Sequence, residues 1–111
     1  MNNTYKIYLI SDSTGETLER IFFAIKAQFK NIEYKVLSYS FTRTENQIDK
    51  IISEVITDPN SIILYTIVDN DLSKFLNEEA KKKNIPCFGV LGDLIISFSK
   101  LLNQEASFKP S

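Results

Sequence analysis

The 111-residue sequence has no histidine and no tryptophan, and it contains only one cysteine, three glycines and three prolines. Without histidine, the chain has no imidazole general base and no phosphohistidine relay, and most zinc sites are also excluded. The single cysteine, Cys87, cannot form an internal disulfide, which fits a reducing compartment. With three glycines there is also no glycine-rich phosphate loop of the G-x-x-x-x-G-K-[ST] type.

The chain has little net charge and no long apolar run. Thirteen basic residues stand against 14 acidic ones, which excludes a strongly basic nucleic-acid binder. The longest apolar runs, such as Ile21–Ile25, are far shorter than the roughly 18 residues that a membrane span requires. Apolar residues still make up 43% of the chain, enough for a core at this size. We therefore expect one domain over residues 1–111 in a cytoplasmic protein without nucleic-acid or membrane partners.

Hydrophobic patterning divides the chain into alternating strands and helices. Continuous or period-2 apolar runs predict four strands, at Tyr5–Ile10, Tyr34–Phe41, Ile62–Val68 and Ile85–Val90. Apolar residues at helical spacing predict four helices, around Leu18–Phe29, Ile48–Ile56, Leu72–Ala80 and Leu94–Leu102. This alternation predicts an α/β fold with a parallel sheet, right-handed crossovers and helices on both faces.

The patterns also predict the order of the strands. The first and third are continuously apolar and belong in the middle of the sheet. The second alternates with serines, and the fourth contains Pro86, so both are typical of edges. The order 2-1-3-4 satisfies all four strands and gives a doubly wound, flavodoxin-like half.

In such a sheet, ligands bind beyond the carboxyl ends of the strands where the strand order reverses. For order 2-1-3-4, this crevice lies between the loops that follow the first and third strands. The first of these loops is rich in hydroxyl groups and leads into a helix, whose free N–H groups favour anions. The candidate phosphate-binding residues are Asp12, Ser13, Thr14, Gly15 and Thr17.

The sequence of the hydroxyl-rich loop has two interpretations. Ser13 and Glu16 have the spacing of a capping box, which would satisfy the same N–H groups internally. Alternatively, Gly15 lets the backbone approach a ligand while the hydroxyls bind phosphate oxygens. Asp12 would repel a directly bound phosphate, so it better suits a metal-bridged phosphate or a hydrogen bond to the loop backbone.

Two accessory residues follow the strands on either side of the first strand. The first interpretation places Asp69 and Asp71 at the start of the third helix, where acidic side chains cap free amides. In a second interpretation, Asp12 and Asp69 bind a cation together. Arg43 is predicted to form either a surface ion pair or a contact with phosphate. No residue can be assigned a catalytic role and no protein metal centre is expected.

Two other features have structural interpretations. Cys87 lies in an apolar strand and is expected to pack in the core. The second helix has two capping boxes available to it, Thr42 with Glu45 or Thr44 with Gln47.

Several segments together resemble a known family. Residues 7–17 (IYLISDSTGET), followed by Ala27-Gln28-Phe29, resemble the amino-terminal signature of pyruvate, phosphate dikinase regulatory proteins and phosphoenolpyruvate synthase regulatory proteins. The stretches at 42–45 (TRTE), 63–69 (ILYTIVD) and Leu91-Gly92 match in the same order, so the resemblance covers essentially the whole chain. The STGET version of the signature favours the dikinase branch.

The resemblance implies a bifunctional enzyme. One reaction uses ADP to phosphorylate a threonine of pyruvate, phosphate dikinase (or phosphoenolpyruvate synthase) and inactivates it. The other uses inorganic phosphate to remove that group and releases pyrophosphate. Members of the family continue into a second half with a P-loop-like nucleotide site, which these 111 residues lack. We therefore expect no cofactor in this chain itself and no activity from the chain alone. The resemblance implies ADP and phosphate for the full-length relative. A homodimer is an open alternative.

Three alternatives belong to other classes. A flavodoxin-like carrier would cradle an FMN phosphate with the loop after the first strand, although Asp12 stands where a hydroxyl is expected. A receiver-like phosphoacceptor would use Asp12 and Asp69 but needs a fifth strand. The third alternative is a non-catalytic domain that docks a partner.

Overall fold

A computed structural model describes residues 4–110. Strands and helices alternate along the chain. The strands are β1 (Tyr5–Ser11), β2 (Tyr34–Tyr39), β3 (Ser61–Thr66) and β4 (Cys87–Gly89). The helices are α1 (Glu16–Lys26), α2 (Glu45–Val55), α3 (Asn70–Lys82) and α4 (Gly92–Leu102). The predicted α/β class is confirmed, and each predicted element lies within a few residues of its expected position.

The four strands form one parallel sheet in the order β2-β1-β3-β4, as the burial patterns predict. In the register, Ile7 pairs with Val36 on one side and with Ile62 on the other. β1 is buried from Ile7 onward because it has a strand on each side and helices on both faces. The reversal of strand order therefore falls between β1 and β3, where a ligand crevice is expected.

Helices cover both faces of the sheet, but unequally. α2 and α3 pack on one face over a core that includes Tyr8, Ile10 and Ile63. On the other face, α1 packs through Leu18 and Phe22 on a smaller cluster. Within residues 4–110, no helix is both long and apolar enough to cross a membrane.

Cys87 lies in β4, half-buried against the larger core, which confirms its predicted packing role. Burial raises the pKa of the Cys87 thiol to about 12. On the same face, burial and a hydrogen bond to Glu54 raise the pKa of Tyr39.

The end of β2 differs from the prediction. The predicted strand runs to Phe41, but β2 ends at Tyr39, and Phe41 is exposed with a left-handed backbone (φ 52°). The chain turns there because the Phe41 and Thr42 amides donate hydrogen bonds to the Ser13 and Ser11 carbonyls, each at 2.9 Å. The backbone after β2 is thus used to hold the loop after β1.

Candidate functional site

A cavity of about 190 Å³ opens at the carboxyl ends of β1 and β3. Its wall is formed mainly by the loop after β1 and the first turn of α1, residues 11–18. The remaining lining residues come from the end of β3, the start of α4 and the tail: Thr66, Val68, Leu91 and Pro110. The five residues predicted for the phosphate-binding loop all line it, namely Asp12, Ser13, Thr14, Gly15 and Thr17.

Asp12 connects the two strands that frame the cavity. Its backbone amide donates to the Thr66 carbonyl at 3.1 Å, which extends the β1–β3 pairing by one residue. Its side chain is 5% exposed, and Oδ2 accepts a hydrogen bond from the Val68 amide at 2.9 Å. The Ser13 hydroxyl donates to Oδ1 at 3.3 Å. Of the two roles left open for Asp12, the structure shows a hydrogen bond to main chain, which comes from the loop after β3 rather than from the loop that contains Asp12.

The same loop is held from the β2 side. The Ser40 hydroxyl donates to the Thr14 carbonyl at 2.8 Å, beside the backbone bonds from Phe41 and Thr42. Within the loop, the Ser13 amide donates to the Ser11 hydroxyl at 3.0 Å. Segments after β2 and β3 thus fix the shape of the loop before any ligand is bound.

The start of α1 carries no side-chain cap, so the predicted Ser13–Glu16 capping box is wrong. The N-cap is Gly15, whose φ of +88° is favourable only for glycine, and no side chain in residues 4–110 caps this helix. With Gly15 as N-cap, the third helical position is Leu18, which has no polar group to complete a box. The first-turn amides of α1 therefore lie at the cavity wall without a capping side chain.

Arg43 supports the loop from outside the cavity. Its Nε donates to the Asp12 carbonyl at 2.9 Å, and the guanidinium lies 5.5 Å from the centre of the Phe41 ring. It forms none of the ion pairs found within residues 4–110, so the surface ion pair expected from the sequence is wrong. Arg43 is not among the residues that line the cavity.

Asp69 caps α3, as the first of its two interpretations predicted. It is the N-cap of α3, and its Oδ1 accepts from the Leu72 amide at 3.0 Å. It does not line the cavity, so Asp12 and Asp69 do not form a shared carboxylate pair there. In the described part of the chain, no three acidic or cysteine side chains cluster as metal ligands.

Four lining positions outside the loop after β1 were not anticipated from the sequence. Leu91 and Pro110 approach the loop from α4 and the tail, Thr66 ends β3 inside the crevice, and Val68 follows two residues later. Thr66 could have been included by extending the strand-end rule three residues back from Asp69, into the predicted strand. No sequence signal marks Pro110, because it lies in a polar tail without helix or strand.

Comparison with known proteins gives the family. A match to the kinase/pyrophosphorylase family spans residues 7–111. The chain belongs to this family. It is 68% identical, over its whole length, to a protein of Pelagibacter ubique provisionally named pyruvate, phosphate dikinase regulatory protein. Proteins with the same provisional name in Geotalea uraniireducens and Sphingopyxis alaskensis are 37% and 38% identical over 95% and 94% of the chain.

The relatives are much longer than this chain. The chain spans 40%, 39% and 38% of the length of those three proteins, respectively. Membership of the family is therefore a property of these 111 residues, whereas the activity named for the relatives belongs to longer polypeptides.

Proposed function

We propose that this domain binds a phosphoryl group in its strand-end cavity and contributes that site to an ADP-dependent kinase and phosphate-dependent phosphorylase acting on pyruvate, phosphate dikinase. The observation that carries the proposal is the start of α1, where uncapped amides and the hydroxyls of Thr14 and Thr17 meet at one cavity wall. The names of the relatives supply the target protein.

The chemistry of the cavity wall suits a phosphate. Amides in the first turn of a helix donate hydrogen bonds, and the helix dipole adds a partial positive charge. Gly15 provides the positive φ of the turn into α1, and the Thr17 hydroxyl can donate a further bond. Phosphoryl transfer depends mainly on positioning and charge stabilisation, which such a wall provides.

Asp12 is a positioning residue in this proposal rather than a phosphate ligand. Both of its carboxylate oxygens already accept hydrogen bonds, from the Val68 amide and the Ser13 hydroxyl. These bonds hold the carboxylate between the loops after β1 and β3, where it shapes the cavity without serving as a ligand of the phosphate. Arg43 fixes the Asp12 carbonyl from the other side.

The flavodoxin-like alternative gains no support from the cavity. None of the described residues that line it is aromatic, whereas a flavin ring requires stacking partners. The docking-domain alternative concerns other surfaces of the molecule.

The proposal is tested in a full-length enzyme. The matching segment of the Pelagibacter ubique relative is replaced by these 111 residues, and ADP-dependent phosphorylation and phosphate-dependent reactivation of the dikinase are measured. Thr17→Val removes one hydroxyl from the cavity, and Thr57→Val, which removes an exposed hydroxyl at the end of α2, is the control. Because a hydrogen bond to a charged group contributes about 1.5–3 kcal/mol, we expect Thr17→Val to slow both reactions at least about tenfold.

Two results would count against the proposal. Equal rates in the Thr17→Val and Thr57→Val enzymes would remove the phosphate role of the cavity. Turnover by the 111-residue chain alone would contradict its place as one part of a larger catalytic unit.

A further inference from the structure

α4 is an apolar helix that no other helix or strand of the described residues covers; only the tail at residues 104–107 lies beside it. None of its residues is buried, and it packs extensively against no other helix or strand in residues 4–110. Leu101 is 78% exposed and Phe98 57% exposed. By contrast, α1, α2 and α3 each bury at least two apolar side chains on the sheet.

The apolar residues of α4 occupy two sides of the helix. Leu94, Phe98 and Leu101 follow at i, i+4 and i+7 and share one face. Ile96 lies roughly opposite and is also half-exposed. A pair of α4 helices from two copies of the chain would cover one of these faces and leave the other in water. The pattern fits a helix enclosed within a larger body of protein.

The shape of the molecule agrees with an incomplete layer. The described residues extend over 52 × 31 × 23 Å and have a radius of gyration of 14.6 Å, against about 13 Å expected for a compact domain of this size. On the side of the sheet that α1 covers, Phe88 of β4 is 56% exposed. Apolar side chains are exposed around α1 as well, for example Phe23, but α4 differs from α1 in burying none of its own.

The relatives identify a polypeptide that could cover this surface. Over the whole 111 residues the chain is 68% identical to a protein in which it accounts for 40% of the length. The other 60% or so of the relative's residues belong to the same polypeptide as the matched segment. The matched segment is the amino-terminal part of the relative. The match extends past the end of α4 at Leu102, and Pro110, the last described residue, lines the cavity together with Leu91 at the start of that helix.

We propose that α4 is the docking helix for the polypeptide that makes up the unmatched part of the longer relatives. Its Leu94–Phe98–Leu101 face packs against that polypeptide, which thereby lies close to the phosphoryl cavity, because Leu91 at the start of α4 lines that cavity. The inference rests on α4 and on the length of the relatives, and it holds independently of what the cavity binds.

Hydrogen exchange tests the proposal in two proteins, the 111-residue chain and the full-length Pelagibacter ubique relative carrying these residues in place of its matching segment. In the isolated chain we expect the α4 amides to exchange rapidly. In the full-length protein we expect residues 95–102 to exchange at least tenfold more slowly, with α2 unchanged. The unaltered relative is measured alongside, so that a chimera that fails to fold does not remove the test.

Variants separate docking from general stabilisation. Leu101→Asp should restore rapid exchange of α4 in the full-length protein, whereas Phe23→Asp on α1, where Phe23 is 74% exposed, should leave α4 protected. Equal exchange of α4 in the isolated and full-length proteins would overturn the proposal. So would a stable dimer of the isolated chain with α4 already protected, since a second copy would then be the occupant.

Discussion

The Asp12 carboxylate and the Val68 amide are joined by a hydrogen bond of 2.9 Å across the gap between the loops after β1 and β3. This bond fixes the distance between the two strand ends that frame the cavity. Asp12 is 56 positions from Val68 in sequence, so the bond forms only when β1 and β3 are paired. The geometry of the candidate site therefore depends on the sheet.

Replacing Asp12 by alanine should loosen this connection. The Val68 amide would lose its acceptor, and we expect the free energy of unfolding to fall by about 1–3 kcal/mol. Asp12→Asn retains an oxygen acceptor and should lose less than half as much. Urea unfolding of the two variants measures the difference; equal losses would show that the carboxylate contributes through its charge rather than through the bond to Val68.

Thr44 supplies the cap of α2. Its hydroxyl accepts from the Gln47 amide at 3.2 Å, and the Gln47 side chain accepts from the Thr44 amide at 3.1 Å. Thr44→Ala should lower the free energy of unfolding by about 1 kcal/mol. Ser53→Ala, at an exposed interior position of the same helix, is the control and should be neutral or slightly stabilising. If both variants unfold at the same urea concentration, the capping box does not contribute.

The ring of Tyr65 leaves no room for a side chain at Gly89. A Cβ at position 89 would lie 2.6 Å from Cζ and Oη of Tyr65, whose buried ring is fixed by hydrogen bonds to Ser73 and Asn77. Gly89→Ala should therefore destabilise the fold by about 1–3 kcal/mol through overpacking. A Cβ at Gly92 would meet no atom within 4 Å, so Gly92→Ala is the matched control and should not destabilise. Thermal unfolding that ranks the two variants in reverse order would contradict this packing.

Cys87 gives a pH dependence with a defined sign. Its pKa is raised from 9.0 to about 12 by burial, so above pH 9 the unfolded chain loses the thiol proton before the folded chain does. The stabilising contribution is complete below pH 9 and should decline as the pH rises from 9 toward 12. Tyr8 and Tyr39 also have a raised pKa, from an ordinary value of 10.0, so they add to the decline in stability as the pH approaches 10. Urea unfolding from pH 8 to 10 should therefore show a steeper decline in the unaltered chain than in Cys87→Ala, which keeps only the tyrosine contribution; identical slopes would contradict the role of the cysteine.

The hydrophobic pattern of the sequence predicted the strand order well, because the position of a strand in the sheet determines how much of it is buried. Continuous apolar runs in β1 and β3 and the polar alternation of β2 correspond directly to central and edge positions. The loop after β1 was also predicted as the cavity wall, because the place where strand order reverses follows from the order itself.

The details of the site were less predictable, for physical reasons. Ser13 and Gly15 are both good N-cap residues, and backbone dihedrals that the sequence does not display decide between them. Arg43 donates to a main-chain carbonyl, and because every residue has one, the sequence does not indicate which carbonyl an arginine will bind. Phe41 follows the strand alternation, yet two backbone hydrogen bonds to the loop after β1 turn it outward.

The central claim is that the start of α1 binds phosphate, and an NMR titration of the 111-residue chain with inorganic phosphate tests it most directly. Amide shifts are followed against a sodium chloride titration of equal ionic strength. We predict saturable shifts confined to residues 13–18 that are weakened in Thr17→Val. No saturable shift in that segment, or shifts only at the exposed lysines 81–83, would contradict the account.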